Sequence, residues 1–255
     1  MKKRFFIVGA QRSGTTYLYK LLDSHPEIYM AKPMRPEPKF FCTDKNFKKG
    51  KNYYLYKFDF SKKHQIFGEK STSYMTHKET PKRIYNIFPN SKLIFLLRNP
   101  IKRAVSNYWF SVNNNLETKS FEYAIKNEEE RIKNIKMKDF VNHPFAYKKR
   151  GAYIKYINNY LKFFSKEEIL ILKSENLFWN KEYYKKVYNF LKVNKSVRPN
   201  LLGEKTNNSK KRNDVLNSEL INYLKEYYKE YDQELKSKFG ISWDYNKIGD
   251  NYDSI

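Results

Sequence analysis

A short stretch near the start of the chain carries the side chains best suited to bind an anion. It combines one cation, three hydroxyl groups and a glycine: Arg12, Ser13, Gly14, Thr15 and Thr16. Loop amides that follow a strand, together with the N-terminus of the next helix, attract negative charge. The stretch therefore predicts a phosphate-binding loop, and an ordinary tight turn of a parallel-sheet protein is the alternative.

This loop differs from the loop that binds nucleoside triphosphates, although the spelling Gly-x-x-x-x-Gly-Thr-Thr is close. A triphosphate loop needs a lysine directly after its second glycine to reach the outer phosphates. This chain has Thr15 at that place, and the cation of its loop lies earlier, at Arg12. We therefore expect the loop to hold a phosphate without the lysine that a triphosphate requires.

Strands and helices alternate along the chain and must position this loop. Runs of apolar residues predict strands at 5–8, 65–69, 92–97 and 169–172. Helical periodicity predicts helices from Thr15 onward and at 80–88, 101–110, 150–164, 181–191 and 219–239. This order predicts an α/β fold with a P-loop-like central parallel sheet and helices on both faces, in a single domain spanning 1–255.

A proline-rich segment, 27–41, follows the first predicted helix. Its three prolines forbid a helix through it. Two of them flank Glu37, and an aromatic pair follows, Phe40 and Phe41. A carboxylate on such a stiff support is suited to act as a general base, whereas a solvated loop carboxylate is the ordinary alternative.

Polar side chains follow two other predicted strands. Lys70 and a run of hydroxyl residues follow the strand at 65–69, and Arg98 follows the strand at 92–97, with Ser106 on the next helix. Ligands bind at the carboxyl ends of strands in open α/β sheets, and the arginine fork fits phosphate oxygens. We expect Arg98 and Ser106 to bind a second phosphate, and a salt bridge at the helix cap is the alternative for Arg98.

The composition indicates an anionic partner. The chain of 255 residues has 51 Lys and Arg against 27 Asp and Glu, a formal net charge of +24, which favours nucleotides, nucleic acid, acidic polysaccharide or a membrane surface. A codon bias, visible in the many Asn, Tyr, Ile and Phe residues, is an alternative source of the lysine excess.

The location is predicted from the cysteine content and from the apolar runs. One cysteine, Cys42, allows no intramolecular disulfide. The apolar run at 5–10 is too short for a signal peptide, and no stretch is long enough to span a bilayer. We expect a soluble cytoplasmic protein without a transmembrane segment.

Together these motifs resemble those of sulfotransferases that use 3′-phosphoadenosine 5′-phosphosulfate (PAPS), in particular the heparan sulfate and related carbohydrate sulfotransferases. The glycine loop is similar to the family's 5′-phosphosulfate loop, with Arg12 where most members carry lysine. Arg98 and Ser106 have the spacing of the family's 3′-phosphate motif. Glu37, ahead of its aromatic pair, resembles the family's catalytic glutamate.

Three further segments extend the resemblance over 5–245. Residues 69–74 are similar to the family's E-K-S/T-P-x-Y segment but lack its proline. The helix that opens with Arg-Gly-Ala-Tyr supplies Tyr153, and a late basic loop supplies Lys210 and Arg212, with lysine in place of the glycine of the family's K-G-R motif. The resemblance implies a cofactor-binding set of Arg12, Ser13, Gly14, Thr15, Thr16, Arg98, Ser106, Tyr153, Lys210 and Arg212.

The chemistry implied by the resemblance is in-line transfer of a sulfuryl group from PAPS to a hydroxyl or amine of an acceptor, in this branch a saccharide or glycoconjugate. Glu37 would take the acceptor's proton, a role worth roughly 10²–10⁴ in rate. Arg12, Lys70 and the loop amides would meet the charge on the product PAP, so no metal ion is needed. Arg12 cannot lend a proton, which leaves it the role of a charge clamp.

Two other classes of protein share part of this pattern. A P-loop small-molecule kinase would bind Mg²⁺ and ATP, but the motif lysine and a clear acidic magnesium ligand are missing from the sequence. A basic nucleic-acid-binding protein would explain the charge, but no recognised reader motif appears, so we expect no specific nucleic-acid partner.

Overall fold

The computed structural model describes residues 3–61, 64–134, 144–180, 182–199 and 216–245. Contacts between backbone positions divide the chain into two compact units, each of which is described by itself. The first unit comprises Met1–Leu97 and Ile157–Thr206, and the second comprises Arg98–Tyr156 and Asn207–Ile255. The single domain expected from the sequence stays a prediction.

The first unit is built on a sheet of five strands in the order β2-β3-β1-β4-β5. Every neighbouring pair is parallel. The strands are β1 Lys3–Gly9, β2 Ile28–Met30, β3 Ile66–Lys70, β4 Lys92–Leu97 and β5 Ile169–Lys173. The chain builds the sheet on one side of β1 and then crosses to the other side with β4, which makes the carboxyl end of β1 the switch point where such sheets bind ligands.

The helices of the described residues follow in chain order. They are α1 Thr15–Asp23, α2 Asp44–Phe47, α3 Gly50–Leu55, α4 Thr80–Ile87, α5 Pro100–Asn113, α6 Phe121–Lys126, α7 Glu128–Asn134, α8 Tyr153–Tyr160, α9 Ser174–Trp179, α10 Tyr184–Leu191 and α11 Ser218–Phe239.

Both faces of the sheet are covered, as the runs of consecutive apolar residues require. Successive strand residues point to opposite faces, and on one face Phe5 and Ile94 pack in a cluster with helices α1 and α10. On the other face the Phe6 ring lies 5.5 Å from the ring of Phe41, and the Phe95 ring lies 5.1 Å from that of Tyr160 on α8. The predicted α/β class with helices on both faces is confirmed.

The second unit has an apolar core of its own. Ile101, Ala104 and Tyr108 of α5 pack in one cluster with Leu224 and Tyr228 of α11. Gly151 lies against this core, because a Cβ atom placed there would come within 2.5 Å of the Tyr228 hydroxyl oxygen.

Most of the predicted elements are present, and two of the differences concern β2 and α8. The short strand β2 lies inside the segment expected to be an extended loop, and the adjacent strand β3 fixes it through backbone pairing of Ile28 with Ile66. Helix α8 ends at Tyr160, and the residues after it form a turn, although the apolar spacing predicted helix as far as Phe164.

Candidate active site

The loop between β1 and α1 is held at the switch point by its backbone. The Ala10 amide donates to the Leu96 carbonyl at 2.8 Å, which ties the loop to β4. Gly9 has no space for a side chain, since a Cβ atom there would lie 2.8 Å from the Cβ of Met75. Arg12 and Gly14 both adopt positive φ angles, 68° and 83°, and for arginine this conformation costs energy that the surrounding structure must offset.

The end of this loop presents hydrogen-bond donors. Helix α1 begins at Thr15 and has no side-chain cap, and the first amides of a helix have no carbonyl partner within it. The Ser13 side chain is 1% exposed, and its hydroxyl has no hydrogen-bond partner among the described residues. A buried hydroxyl without a partner, next to the N-terminus of a helix, is the arrangement that an anionic oxygen completes.

Glu37 and Lys70 form an ion pair at the carboxyl end of β3. Lys70 Nζ lies 2.6 Å from Glu37 Oε1, and the two side chains are 3% and 16% exposed. The Thr72 amide donates to Glu37 Oε2 at 2.9 Å, and the Thr72 hydroxyl donates to the same oxygen at 3.0 Å. Since Lys70 pairs with Ile7 of β1, the ion pair and the anion loop follow neighbouring strands.

The aromatic pair after Glu37 anchors its loop. Phe40 and Phe41 are 2% and 0% exposed, and the Phe41 amide donates to the Tyr74 hydroxyl at 3.2 Å. The Lys39 amide donates to Ser71 Oγ at 3.0 Å. Contacts on both sides therefore hold the loop of Glu37. The alternative, in which Glu37 is a solvated loop carboxylate, does not apply.

Glu69 precedes Lys70 in β3 and is fully buried. Its Oε1 accepts a hydrogen bond from Ser71 Oγ at 2.7 Å. Burial raises the pKa of the Glu69 carboxyl to about 7, and the hydroxyl groups of Ser71, Tyr74 and Tyr54 oppose this rise. The sequence alone predicts no role for Glu69, Ser71 or Thr72, and their place as polar residues at a strand end is the signal that could have found them.

Three of the predicted cofactor residues lie in the described part of the second unit. Arg98 precedes α5 and Ser106 lies within it, both half-buried. The cap of α5 is Asn99, whose Oδ1 accepts from the Ile101 amide at 3.0 Å. The hydroxyl of the buried Tyr153 donates to the Arg98 carbonyl at 2.8 Å, so Tyr153 fixes the backbone from which the Arg98 side chain extends. Lys210 and Arg212 lie outside the described residues.

One of the four histidines of the chain, at the end of the first helix, has a structural role. His25 is 1% exposed. Its Nδ1 accepts from the Glu27 amide at 3.1 Å, so its Nε2 carries the proton and donates to the Asn194 carbonyl at 2.9 Å. Both ring nitrogens of His25 are therefore engaged in hydrogen bonds.

Two negative findings apply to the described residues. Over these ranges no group of three or more His, Cys, Asp or Glu side chains is placed to hold a metal ion. No helix in the same part of the chain is long and apolar enough to cross a membrane.

A glycine loop at the switch point of a five-stranded parallel sheet, with a lysine–carboxylate pair at the end of the next strand, is typical of α/β proteins that act on phosphate-containing ligands. The sequence profile of the sulfotransferase domain family matches residues 2–248. The chain belongs to the sulfotransferase domain family, which confirms the resemblance found in its motifs.

Relatives and a solved structure agree with this membership. The chain is 31% identical over 171 residues to heparan sulfate glucosamine 3-O-sulfotransferase 5 of Mus musculus, covering 67% of this chain and 47% of that protein. It is 27% identical over 172 residues to heparan sulfate glucosamine 3-O-sulfotransferase 3B1 of Homo sapiens, covering 67% and 41%. It thus spans about half the length of these relatives or less. A sulfotransferase from Alicyclobacillus acidocaldarius shares the fold, with a TM-score of 0.79, 24% identity and coverage of 95% and 98%.

Proposed function

We propose that this protein transfers a sulfuryl group from PAPS to a hydroxyl or amine of a saccharide acceptor. The observation that carries the proposal is the Glu37–Lys70 ion pair, 2.6 Å long, on the strand next to the anion loop. It puts a carboxylate able to take a proton and an ammonium able to meet negative charge together at the carboxyl end of β3, beside the strand that leads into the anion loop.

Each group of the site has a role in this reaction. The α1 amides, Ser13 and Arg12 bind the 5′-phosphosulfate, with Thr15 and Thr16 in the first turn of α1. Glu37 accepts the proton of the attacking hydroxyl as its oxygen bonds to sulfur. The bond from sulfur to the bridging oxygen breaks, its electron pair stays on the phosphate of PAP, and Lys70 and Arg12 stabilise that charge. Arg98 and Ser106 are proposed to recognise the 3′-phosphate, with Tyr153 supporting Arg98.

The proposed acceptor class and cellular location rest on the relatives and on the composition. The relatives named above are heparan sulfate 3-O-sulfotransferases, which favours a saccharide hydroxyl over an amine as acceptor. The net charge of +24 favours an anionic saccharide. A cytoplasmic location is also a proposal, supported by a single cysteine that allows no intramolecular disulfide.

A retention experiment on PAP-agarose separates this proposal from the kinase and nucleic-acid alternatives. We expect the protein to be retained, to elute with free PAP, and to stay bound when ATP or DNA is added at the same concentration. Elution by ATP with Mg²⁺ would favour a kinase, and elution by DNA would favour a nucleic-acid-binding protein. A panel of sugars, polysaccharides, lipids and phenols with labelled PAPS then identifies the acceptor.

A further inference from the structure

We propose that Glu69 is a positioning residue, which acts through Ser71 to hold the loop that carries Glu37. The inference rests on the proposed function, because it assigns Glu69 and Ser71 a part in orienting the general base. Neither residue touches the reacting groups in this account.

A relay of two hydrogen bonds connects Glu69 to the loop. Ser71 Oγ donates its proton to Glu69 Oε1 at 2.7 Å. Ser71 Oγ in turn accepts a hydrogen bond from the Lys39 amide at 3.0 Å. Lys39 lies two residues after Glu37 in the chain. A hydroxyl has one proton to donate and two lone pairs. The acceptor Glu69 therefore fixes the direction of the Ser71 hydroxyl and leaves a lone pair for Lys39.

Burial makes this relay difficult to replace. Glu69 and Ser71 are both 0% exposed, so solvent does not reach the hydroxyl to substitute for either bond. Lys39 has a φ angle of 48°, a conformation that costs energy for a residue with a side chain. The Ser71 contact helps to hold the loop in that conformation, which is the one that aims Glu37 at Thr72 and Lys70.

Glu69 is surrounded by polar groups that also contact the loop. Its burial costs free energy of folding, which hydrogen bonds from neighbouring hydroxyl groups offset in part. The carboxyl lies near the hydroxyls of Tyr54 and Tyr74 and interacts with the charge of buried Arg4. Tyr74 also accepts from the Phe41 amide at 3.2 Å, so the residues around Glu69 hold this loop at a second point.

The test compares Ser71→Ala with Ser71→Thr and with a matched control, Ser91→Ala. Ser91 is buried in the same unit and donates one hydrogen bond, to the Phe88 carbonyl at 2.8 Å, so its loss lowers stability without touching the relay. The first readout is amide hydrogen exchange at Lys39, measured without substrates. We expect Ser71→Ala to lose protection there, and Ser71→Thr and Ser91→Ala to keep it.

The second readout is turnover with PAPS and an acceptor. Displacing a catalytic group by about 1 Å can cost roughly 100-fold in rate. We expect kcat to fall about 10- to 100-fold in Ser71→Ala while PAP affinity stays within about threefold. Glu69→Leu, which removes the acceptor of the Ser71 proton, should show the same loss. In a Glu37→Gln background Ser71→Ala should add no further loss, because the relay acts through Glu37.

The outcomes separate the relay from the proposed function. Unchanged Lys39 exchange in Ser71→Ala, or the same kcat in Ser71→Ala and Ser91→Ala, overturns the inference while the function stands. A full additional loss in the Glu37→Gln background also overturns it, since the effect would then not pass through Glu37. A wild-type protein without PAPS-dependent transfer refutes the proposed function, and the exchange measurement still decides whether the relay exists.

Discussion

Replacing Glu37 with glutamine is expected to abolish most of the activity and to lower stability moderately. The Glu37 carboxylate accepts from Lys70 Nζ, the Thr72 amide and the Thr72 hydroxyl. A carboxylate offers about four lone-pair sites, so one remains for the proton of an incoming acceptor. Glutamine has a single carbonyl oxygen, and its NH₂ group would face either Lys70 or the Thr72 amide, both of which are donors.

The size of the expected loss of stability follows from this unpaired donor. Leaving one buried donor without a partner costs about 1–3 kcal/mol, and each kcal/mol lowers Tm by about 2–4 °C in a chain of this size. Because glutamine has no basicity, turnover should fall by roughly 10²–10⁴ while PAP affinity stays within about threefold. Steady-state transfer assays and calorimetry with PAP measure the two effects separately.

Glu117→Gln is the matched control for the loss of stability. Glu117 Oε2 pairs with Arg131 Nη1 at 2.9 Å, with side-chain exposures of 0% and 15%, so its ion pair is buried much like that of Glu37. We expect this variant to melt at a lower temperature and to keep its turnover. Near-full turnover in Glu37→Gln, together with loss of activity on mutating one of the histidines to alanine (His25, His64, His77 or His143), would refute Glu37 as the base.

Three further predictions concern the cofactor, metal and pH. Calorimetry should show PAP binding far more tightly than ADP, since only PAP offers Arg98 and Ser106 a 3′-phosphate, at about 1.5–3 kcal/mol per charge-assisted bond; equal affinities would contradict that assignment. Transfer should continue in excess EDTA, and a loss of activity restored by Mg²⁺ would favour the kinase alternative. Burial raises the pKa of Asp232 to about 6, so folded protein binds more protons than unfolded protein between about pH 4 and 6, and stability falls as pH rises through that window. Asp232→Asn keeps an acceptor for the Tyr245 hydroxyl and should melt higher than wild type near about pH 7.5, with no difference near about pH 4; an equal gap at both pH values would contradict this.

The sheet could be predicted because its strands are unusually apolar. Lys92–Leu97 and 5–8 have no polar alternation, which indicates burial on both faces, and the structure buries them so. The strand β2 has only three residues, too few for any periodicity, and it exists because β3 offers it a pairing edge. Tertiary pairing of this kind carries no local signal in the sequence.

The sequence predicts which two residues form the ion pair of the site, but it does not predict that they contact each other. Glu37 and Lys70 were identified from a proline-flanked carboxylate and a strand end. The distance of 2.6 Å between Lys70 Nζ and Glu37 Oε1 depends on the folding together of residues 33 positions apart in the chain. The donors on Thr72 and the relay through Ser71 come from backbone and hydroxyl groups, whose partners only the folded chain defines.

Labelled PAPS and an acidic polysaccharide, assayed with the wild-type protein and with Glu37→Gln, test directly whether Glu37 is the base of a sulfuryl transfer. We expect the wild-type protein to form PAP and labelled polysaccharide in equal amounts. We expect Glu37→Gln still to bind PAP but to transfer roughly 10²–10⁴ more slowly. Transfer of phosphate from ATP without transfer from PAPS, or equal rates for the two proteins, would contradict these expectations.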